Sequence, residues 1–172
     1  DITDVKRREG EISNLLDDAK RLIDTANAPI FGIDSNLHIT EWNRKAGEIS
    51  AYTGQEVMGK PFLSFIEEEF QASVGEVLKK AMTGEETANY ELPLVTKNGE
   101  RLFLLVNATP RRDAAGQVIG VIGIAQDITD VKNREAEISR LLDDAQRLID
   151  TANAPIFGID ANMNITEWNR KA

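Results

Sequence analysis

Hydrophobic residues recur at seven-residue intervals in two otherwise polar segments, 4–26 and 131–152. A second apolar set is interleaved with the first, so each segment predicts an amphipathic helix with a coiled-coil seam. We expect these helices to associate with other helices; docking on a globular domain and a solvated linker are the alternatives. The predicted seam consists of Val5, Ile12, Leu15, Ala19, Leu22, Val131, Ile138, Leu141, Ala145 and Leu148.

Between the two helices, apolar residues come in short runs separated by turn residues. Runs rich in β-branched and aromatic residues predict strands, and helical spacing predicts a longer helix over 65–82. The predicted strands are 28–34, 37–43, 88–96, 101–110 and 118–129. This order predicts an α+β unit with an antiparallel sheet. Short helices should cover one sheet face, and the amphipathic terminal helices are candidates for the other.

Polar residues at fixed spacing mark three predicted helix starts. Asn43 is suited to cap the helix that follows it. Thr53 with Glu56, and Ser64 with Glu67, have the three-residue spacing of a capping box. The sequence therefore predicts two short helices before the longer one.

Residues 1–46 and 127–172 are identical at 39 of 46 positions, with an offset of 126. A repeat with this period indicates a tandem array of domains. We therefore expect a segment of a longer protein that contains one complete unit and parts of its neighbours. The expected segments are 1–26, the end of the preceding unit with a linker helix; 27–130, the complete domain; 131–152, a second linker helix; and 153–172, the start of the next repeat.

The last segment predicts a hairpin without the sheet that would bury it. Isolated two-stranded hairpins are marginal in water, and their edges invite pairing. We expect this hairpin to pack against another chain or against the complete domain.

Composition narrows the range of partners. A net charge of −9 disfavours nucleic acid and anionic membranes, because both attract basic surfaces. The chain contains no cysteine, which excludes disulfides and thiolate metal sites within it. Its apolar runs are shorter than the roughly 20 residues of a membrane helix. We expect a cytoplasmic segment without direct membrane contact.

Several motifs within 21–130 resemble the PAS family, of the S-box type. They are EWN at the end of the second strand, GQEVMGKPF before the long helix, KNGERLFLLVNATPRRDAAGQVIGVIGIAQDIT over three strands, and the terminal DIT. These motifs are similar to those of PAS repeats in eukaryotic sensory proteins such as plant phytochromes. The resemblance implies a five-stranded antiparallel sheet with flanking helices, and a sensory or dimerisation role.

The DIT motif lies where the last strand becomes the second linker helix. Its residues, with the one that follows, are Asp127, Ile128, Thr129 and Asp130. Thr129 or Asp130 is suited to cap the helix, and Asp127 to pair with a basic group. An ordinary strand-to-helix junction is one interpretation. The resemblance implies the other, a coupling point that transmits movement of the sheet to the helix.

The resemblance also bears on flavin binding. Light-oxygen-voltage domains, the photochemical branch of the family, carry a reactive Cys in an Asn-Cys-Arg-Phe-Leu-Gln stretch. The corresponding residues 59–64 here read GKPFLS, without Cys. The positions expected to hold flavin-binding amides are Leu94, Leu104 and Ala125. A flavin ring would leave hydrogen bonds unmade there, so we expect no flavin.

Haem and metal sites have little support from the residue types. The one histidine, His38, is replaced by Asn164 in the repeat, so we expect no haem. The acidic clusters 67–69 and 17–18 are interpreted as solvated helix faces, and we expect no metal site.

The remaining candidate for a binding site is the space between sheet and helices. Two alternatives follow for this space: core side chains fill it, or it forms a pocket for an unidentified small ligand. The candidate lining consists of Ile33, Trp42, Ile49, Tyr52, Phe62, Phe65, Val74, Tyr90, Leu92, Val106, Asn107 and Ile124.

Two functional hypotheses follow. The first is a non-catalytic relay and dimerisation module, whose partners are a second copy, neighbouring PAS repeats and an output domain. The second is a sensor with a small molecule in the cavity. We expect no enzymatic activity, because no nucleophile–base pair, phosphate loop or metal cluster is present in the sequence.

Overall fold

The computed structural model describes residues 2–152 and 155–168, which divide into two units, 1–129 and 130–172. The bounds of the helices are α1 Ile2–Thr25, α2 Arg44–Ser50, α3 Gly54–Val57, α4 Glu68–Met82 and α5 Thr129–Thr151. Those of the strands are β1 Ile30–Asp34, β2 Ile39–Trp42, β3 Thr87–Val95, β4 Arg101–Arg112, β5 Val118–Asp127, β6 Phe157–Ile159 and β7 Ile165–Trp168.

The first unit is built on a five-stranded sheet with the order β2-β1-β5-β4-β3. Every strand pair is antiparallel. β5 is the central strand, because it pairs with β1 on one side and with β4 on the other. The predicted α+β architecture with a five-stranded antiparallel sheet is confirmed.

One face of the sheet carries the core. Alternate residues of β4, from Leu102 to Ala108, are buried there against Val74, Leu78 and Ala81 of α4. A fully buried aliphatic side chain contributes about 1.5–3 kcal/mol, so this layer holds the first unit together. The other face is more open: Ile124 of β5 is 50% exposed.

The long helix begins later than its spacing predicted. Residues Phe62–Phe65 form a 3₁₀ turn, and the α-helix runs over Glu68–Met82. The capping box predicted for Ser64 and Glu67 is wrong, because the Ser64 hydroxyl donates to the Pro61 carbonyl. The box predicted for Thr53 and Glu56 is confirmed, with both reciprocal hydrogen bonds present.

The second unit consists of α5 and a hairpin formed by β6 and β7. Both strands of this hairpin present apolar side chains to solvent; Phe157 is 64% exposed and Ile165 is 61% exposed. Within the described part of the chain, no helix is both long enough and apolar enough to cross a bilayer.

Candidate signal-transfer junctions and cavity

The junction at the C-terminal end of the sheet, called the outgoing junction below, joins β5 to α5 through the side chains of the DIT motif. The Asp127 carboxylate accepts hydrogen bonds from the Thr129 N–H at 2.9 Å and the Thr129 hydroxyl at 2.6 Å. Thr129 is the first residue of α5. The predicted basic partner of Asp127 is not what the structure shows, because the described partner of this carboxylate is Thr129.

The same threonine is tied to the neighbouring strand. Its hydroxyl oxygen accepts the Phe103 N–H at 3.0 Å, and the Ile128 N–H donates to the Phe103 carbonyl at 2.9 Å. Phe103 belongs to β4, so three consecutive residues of the motif connect the start of the helix to two strands. Asp130, the fourth predicted junction residue, is exposed in the first helical turn.

The junction between α1 and the sheet, called the incoming junction below, is organised by Asn43. The sequence predicted this residue only as a helix cap. Asn43 is 2% exposed. Its Oδ1 accepts the N–H groups of Ile30 and Ala46, both at 2.9 Å. Its Nδ2 donates to the carbonyls of Ile23 and Ala28, both also at 2.9 Å. One side chain therefore fastens the end of α1 to β1 and α2.

The space between α4 and the sheet is almost filled. A cavity of about 20 Å³ remains, with an apolar lining. That volume holds about one water molecule, whereas ligand pockets measure about 300–1,000 Å³. Phe31 and Phe62 stack with ring centroids 4.9 Å apart and occupy much of this space. The geometry matches the filled-core alternative.

Only some of the twelve candidate lining residues meet at this cavity. Those that line it are Phe62, Val74, Tyr90, Leu92 and Val106. The core around it contains Ile33 and Phe65, with Trp42, Ile49 and Tyr52 packed against it.

Two of the candidates lie on the other face of the sheet. Asn107 and Ile124 are Cα partners, and both are exposed. Side chains alternate between the faces of a strand, so neither residue reaches the cavity. Their inclusion in the lining was wrong. The Asn107 side chain instead accepts the Asn89 N–H at 2.8 Å, beside an irregularity in β3.

A surface groove of about 490 Å³ lies beside the incoming junction. It is lined by the end of α1, by α2 and by the loop to α3, including Asp24, Trp42 and Tyr52. The Trp42 indole donates to the Tyr52 carbonyl at 3.3 Å. No motif in the sequence marks this groove, because its walls come from separate segments.

Two ion pairs fasten the helical layer to the sheet side. Lys97 bonds the Glu56 carboxylate, and with the capping-box bonds from Thr53 it lowers the pKa of Glu56 to about 2. The Arg101 guanidinium bonds Glu67 through two nitrogens at 2.5 Å, which raises the pKa of Arg101. The interpretation of Glu67 as a solvated residue is therefore wrong. Within residues 2–152 and 155–168, no group of three or more potential ligands is arranged to hold a metal ion.

The predicted seam residues of α1 and α5 are on exposed surfaces within the structure. Leu15 is 68% exposed and Leu141 is 54% exposed. The two alanines of the seam, Ala19 and Ala145, are also exposed. Neither helix has a buried residue. Both therefore carry an apolar stripe that remains available for packing.

The comparison with known families identifies the fold. A profile of the PAS fold family matches residues 17–128. The chain belongs to the PAS family. Solved PAS structures agree: the PAS domain of a Colwellia psychrerythraea protein superposes with a TM-score of 0.61 at 19% identity, covering 67% of this chain and 98% of its own. The PAS domain of an HTR-like protein from Haloarcula marismortui superposes with a TM-score of 0.61 at 20% identity. The match covers 72% of this chain and 99% of the Haloarcula chain.

The curated relatives of this PAS chain include plant phytochromes. Phytochrome B1 of Solanum lycopersicum is 34% identical over 92% of the chain and 15% of its own length. Phytochrome E of Arabidopsis thaliana is 34% identical over 96% of the chain and 16% of its own length. The chain thus spans about a sixth of these relatives, and it is related to the PAS regions of sensory proteins.

Proposed function

We propose that this chain is a non-catalytic relay and dimerisation module of a cytoplasmic, multi-PAS sensory protein, of the S-box type. The observation that carries the proposal is the hydrogen-bond network of Asp127, Thr129 and Phe103. It makes the first residue of α5 dependent on the positions of β4 and β5. A shift between these strands would break or realign the bonds that start the helix.

The strength of these hydrogen bonds lies in the range that a conformational switch requires. Each intramolecular hydrogen bond contributes about 0.5–1.5 kcal/mol net, and a group left buried without a partner costs more. A few such bonds are comparable with the energy gap of a two-state element. The incoming junction at Asn43 supports the same role, because it couples the end of α1 to the sheet.

The exposed stripes of α1 and α5 support the dimerisation part of the proposal. Full burial of a leucine such as Leu15 or Leu141 contributes about 1.5–3 kcal/mol. The homodimer would form through these helices, with neighbouring PAS repeats and an output domain as further partners. The recurrence of 1–46 at 127–172 supports the tandem arrangement, and the net charge of −9 argues against nucleic acid or an anionic membrane as a partner.

The alternative is a sensor for a small molecule. It requires the cavity beside Phe31 and Phe62 to expand more than tenfold from about 20 Å³ to reach the usual range of about 300–1,000 Å³. The near-filled core therefore favours the relay.

The association state of the purified chain tests this proposal. We expect sedimentation equilibrium to give a dimer, and the pair Leu15→Asp with Leu141→Asp to give a monomer. The matched control is Ser13→Asp with Ser139→Asp, which adds the same charge on the same two helices outside the seam. A parent chain that stays monomeric at high concentration, or a dimer that the leucine variants leave intact, contradicts the proposal.

A further inference from the structure

Arg101, the first residue of β4, joins the helical layer to the strand that holds the outgoing junction. Its guanidinium bonds the Glu67 carboxylate through Nε and Nη2, each at 2.5 Å. The Nη2 atom also lies 3.5 Å from Oε1 of Glu69, in the first turn of α4. The Cζ atom of the same guanidinium lies 5.8 Å from the centroid of the Phe103 ring. One cation therefore contacts both the start of α4 and the strand β4.

Glu67 is held at the edge of the sheet by the main chain around it. It is the residue immediately before α4, and the preceding Ile66 forms a bridge with Leu94 of β3. Arg101 is the Cα partner of Val95, the next residue of that strand. The Glu67 side chain is only 19% exposed, so the carboxylate end of the pair is largely shielded from water.

The geometry of this ion pair distinguishes it from an ordinary surface contact. Single exposed ion pairs contribute little to stability, whereas bidentate pairs and networks are exceptions. Arg101 meets both conditions, because it forms two bonds with Glu67 and lies near Glu69 as well. A planar guanidinium can hold a carboxylate and stack on an aromatic ring at once, and the compact ammonium of lysine is a poor substitute. The arrangement is therefore specific for arginine.

Phe103 is the residue of β4 that the outgoing junction bonds. Its carbonyl accepts the Ile128 N–H at 2.9 Å, and its N–H donates to the Thr129 hydroxyl at 3.0 Å. Its ring is half-buried on the face of the sheet opposite the core, where alternation along the strand also places Arg101. The ring and the two main-chain groups share one residue, so a contact that holds the ring also limits the directions of those groups.

The second ion pair of this region offers a contrast. Lys97 bonds the Glu56 carboxylate of α3, and its main-chain N–H donates to the Ser50 carbonyl at 3.0 Å. These contacts tie the turn between β3 and β4 to the helical layer, and in the described part of the chain neither of them involves Phe103. Lys97 is therefore a matched control, because it forms an ion pair of the same kind without a link to the outgoing junction.

We propose that Arg101 is a positioning residue of the relay, which transmits the position of the start of α4 to the first turn of α5. The inference rests on the relay function proposed above and adds the place where the helical layer enters it. The successive contacts are the pair with Glu67, the Phe103 ring and the Phe103 hydrogen bonds to the junction. A repacking of the core would act through the same contacts, because α4 buries Val74 and Leu78 there.

Amide hydrogen exchange of the full chain tests this step. Glu67→Gln keeps the shape of the side chain and removes its charge. We expect the Phe103 amide and the first turn of α5 to exchange about two- to fivefold faster, relative to the Ala125 amide of the central strand, which bonds the Pro29 carbonyl. Lys97→Gln breaks the other ion pair and should leave that ratio unchanged. Equal ratios in the two variants overturn the proposal.

Two further changes separate positioning from simple stabilisation. Arg101→Lys keeps the charge but loses the planar fork, so we expect fast exchange at the junction. The reversed pair, Glu67→Arg with Arg101→Glu, restores an ion pair but places a carboxylate near the Phe103 ring, whose face repels it. It should recover the urea midpoint that Glu67→Gln loses, while junction exchange stays fast. Slow junction exchange in Arg101→Lys or in the reversed pair overturns the proposal, because any ion pair at this place would then suffice.

A double variant distinguishes failure of this step from failure of the relay itself. In Thr129→Val the junction is already released, so adding Glu67→Gln should not accelerate exchange in the first turn of α5 any further. Accelerations that multiply in the double variant overturn the Arg101 step and leave the relay in place. No acceleration in Thr129→Val alone overturns the relay, and this inference with it.

Discussion

The side-chain amide of Asn43 donates a 2.9 Å hydrogen bond to the main-chain carbonyl of Ile23, in the last turn of α1. The same side chain bonds the Ile30 N–H at the start of β1. This pairing gives the incoming helix a fixed attachment to the sheet, as Thr129 gives the outgoing helix one. The PAS domain therefore has a polar anchor at each end, and both anchors involve main-chain atoms of the sheet.

Replacing Asn43 with alanine should lower the free energy of unfolding by about 2–4 kcal/mol, because buried N–H and carbonyl groups lose their partners. Asn43→Asp keeps an acceptor for Ile30 and Ala46 but removes the donor to Ile23 and Ala28. We expect it to free the end of α1, seen as faster amide hydrogen exchange there. Urea unfolding and hydrogen exchange measure the two effects. Asn36→Ala, in an exposed turn, is the control and should change stability little.

Thr129→Val should release the start of α5 from β4. The valine keeps the shape but loses the hydroxyl that accepts the Phe103 N–H and donates to Asp127. We expect a loss of about 1–3 kcal/mol in stability and faster hydrogen exchange at the Phe103 amide and in the first turn of α5. Thr129→Ser retains the hydroxyl and should restore slow exchange. Equal exchange in the valine and serine variants would remove the basis of the relay proposal.

Gly123→Ala should destabilise the PAS core by about 1–3 kcal/mol, because overpacking forces a shift of neighbouring groups. An added Cβ would lie 2.5 Å from Cζ of Phe31. The cost should shrink in a Phe31→Ala background, where the ring is absent. Chemical denaturation of the four chains of this cycle measures the coupling. Gly75→Ala is the contrast: its Cβ meets Leu63 at 3.6 Å in α4, and we expect stabilisation by about 0.5–1 kcal/mol.

The depressed pKa of Glu56 predicts a specific pH dependence. Hydrogen bonds from Lys97 and Thr53 lower this pKa from its ordinary value of 4.5 to about 2. The charged form is favoured in the folded state, so its contribution is fully present above about pH 4.5. It is lost as the pH falls from there towards 2. Carbon-13 NMR of the Glu56 carboxyl should give the low midpoint, and Lys97→Ala should raise it. An unchanged midpoint in that variant would contradict the assigned cause.

Local patterns predicted much of this fold because local interactions decide it. Thr53 and Glu56 bond each other across three residues, so their spacing was sufficient to predict the cap. Ser64 and Glu67 have the same spacing but behave differently. Glu67 is held by Arg101, 34 positions away, and that contact follows from the path of the chain and not from spacing.

The predicted cavity residues show a second limit of prediction from the sequence. Val106 and Asn107 are adjacent in β4, so they point to opposite faces and only one of them reaches the core. Ile124 was also assigned to the cavity because of its hydrophobicity, although it lies on the other face of the sheet. The inner positions of that part of β5 are the small residues Gly123 and Ala125, because the Phe31 ring comes from β1 to fill the space above the glycine. The size of a side chain was therefore a poor guide to which face of β5 is buried.

The hairpin β6–β7 adopts its register, its irregularity and its aromatic pairing without a covering sheet. Its shape is thus encoded within about fourteen residues, and hairpins of this kind form in about 1–10 μs. The contact between β1 and β5 is of a different kind, since Ile30 meets Ile124, 94 positions later. Contacts between distant residues slow folding. We therefore expect each β1–β2 hairpin to close early during synthesis. It should be formed before the strand with which β1 pairs in the completed sheet.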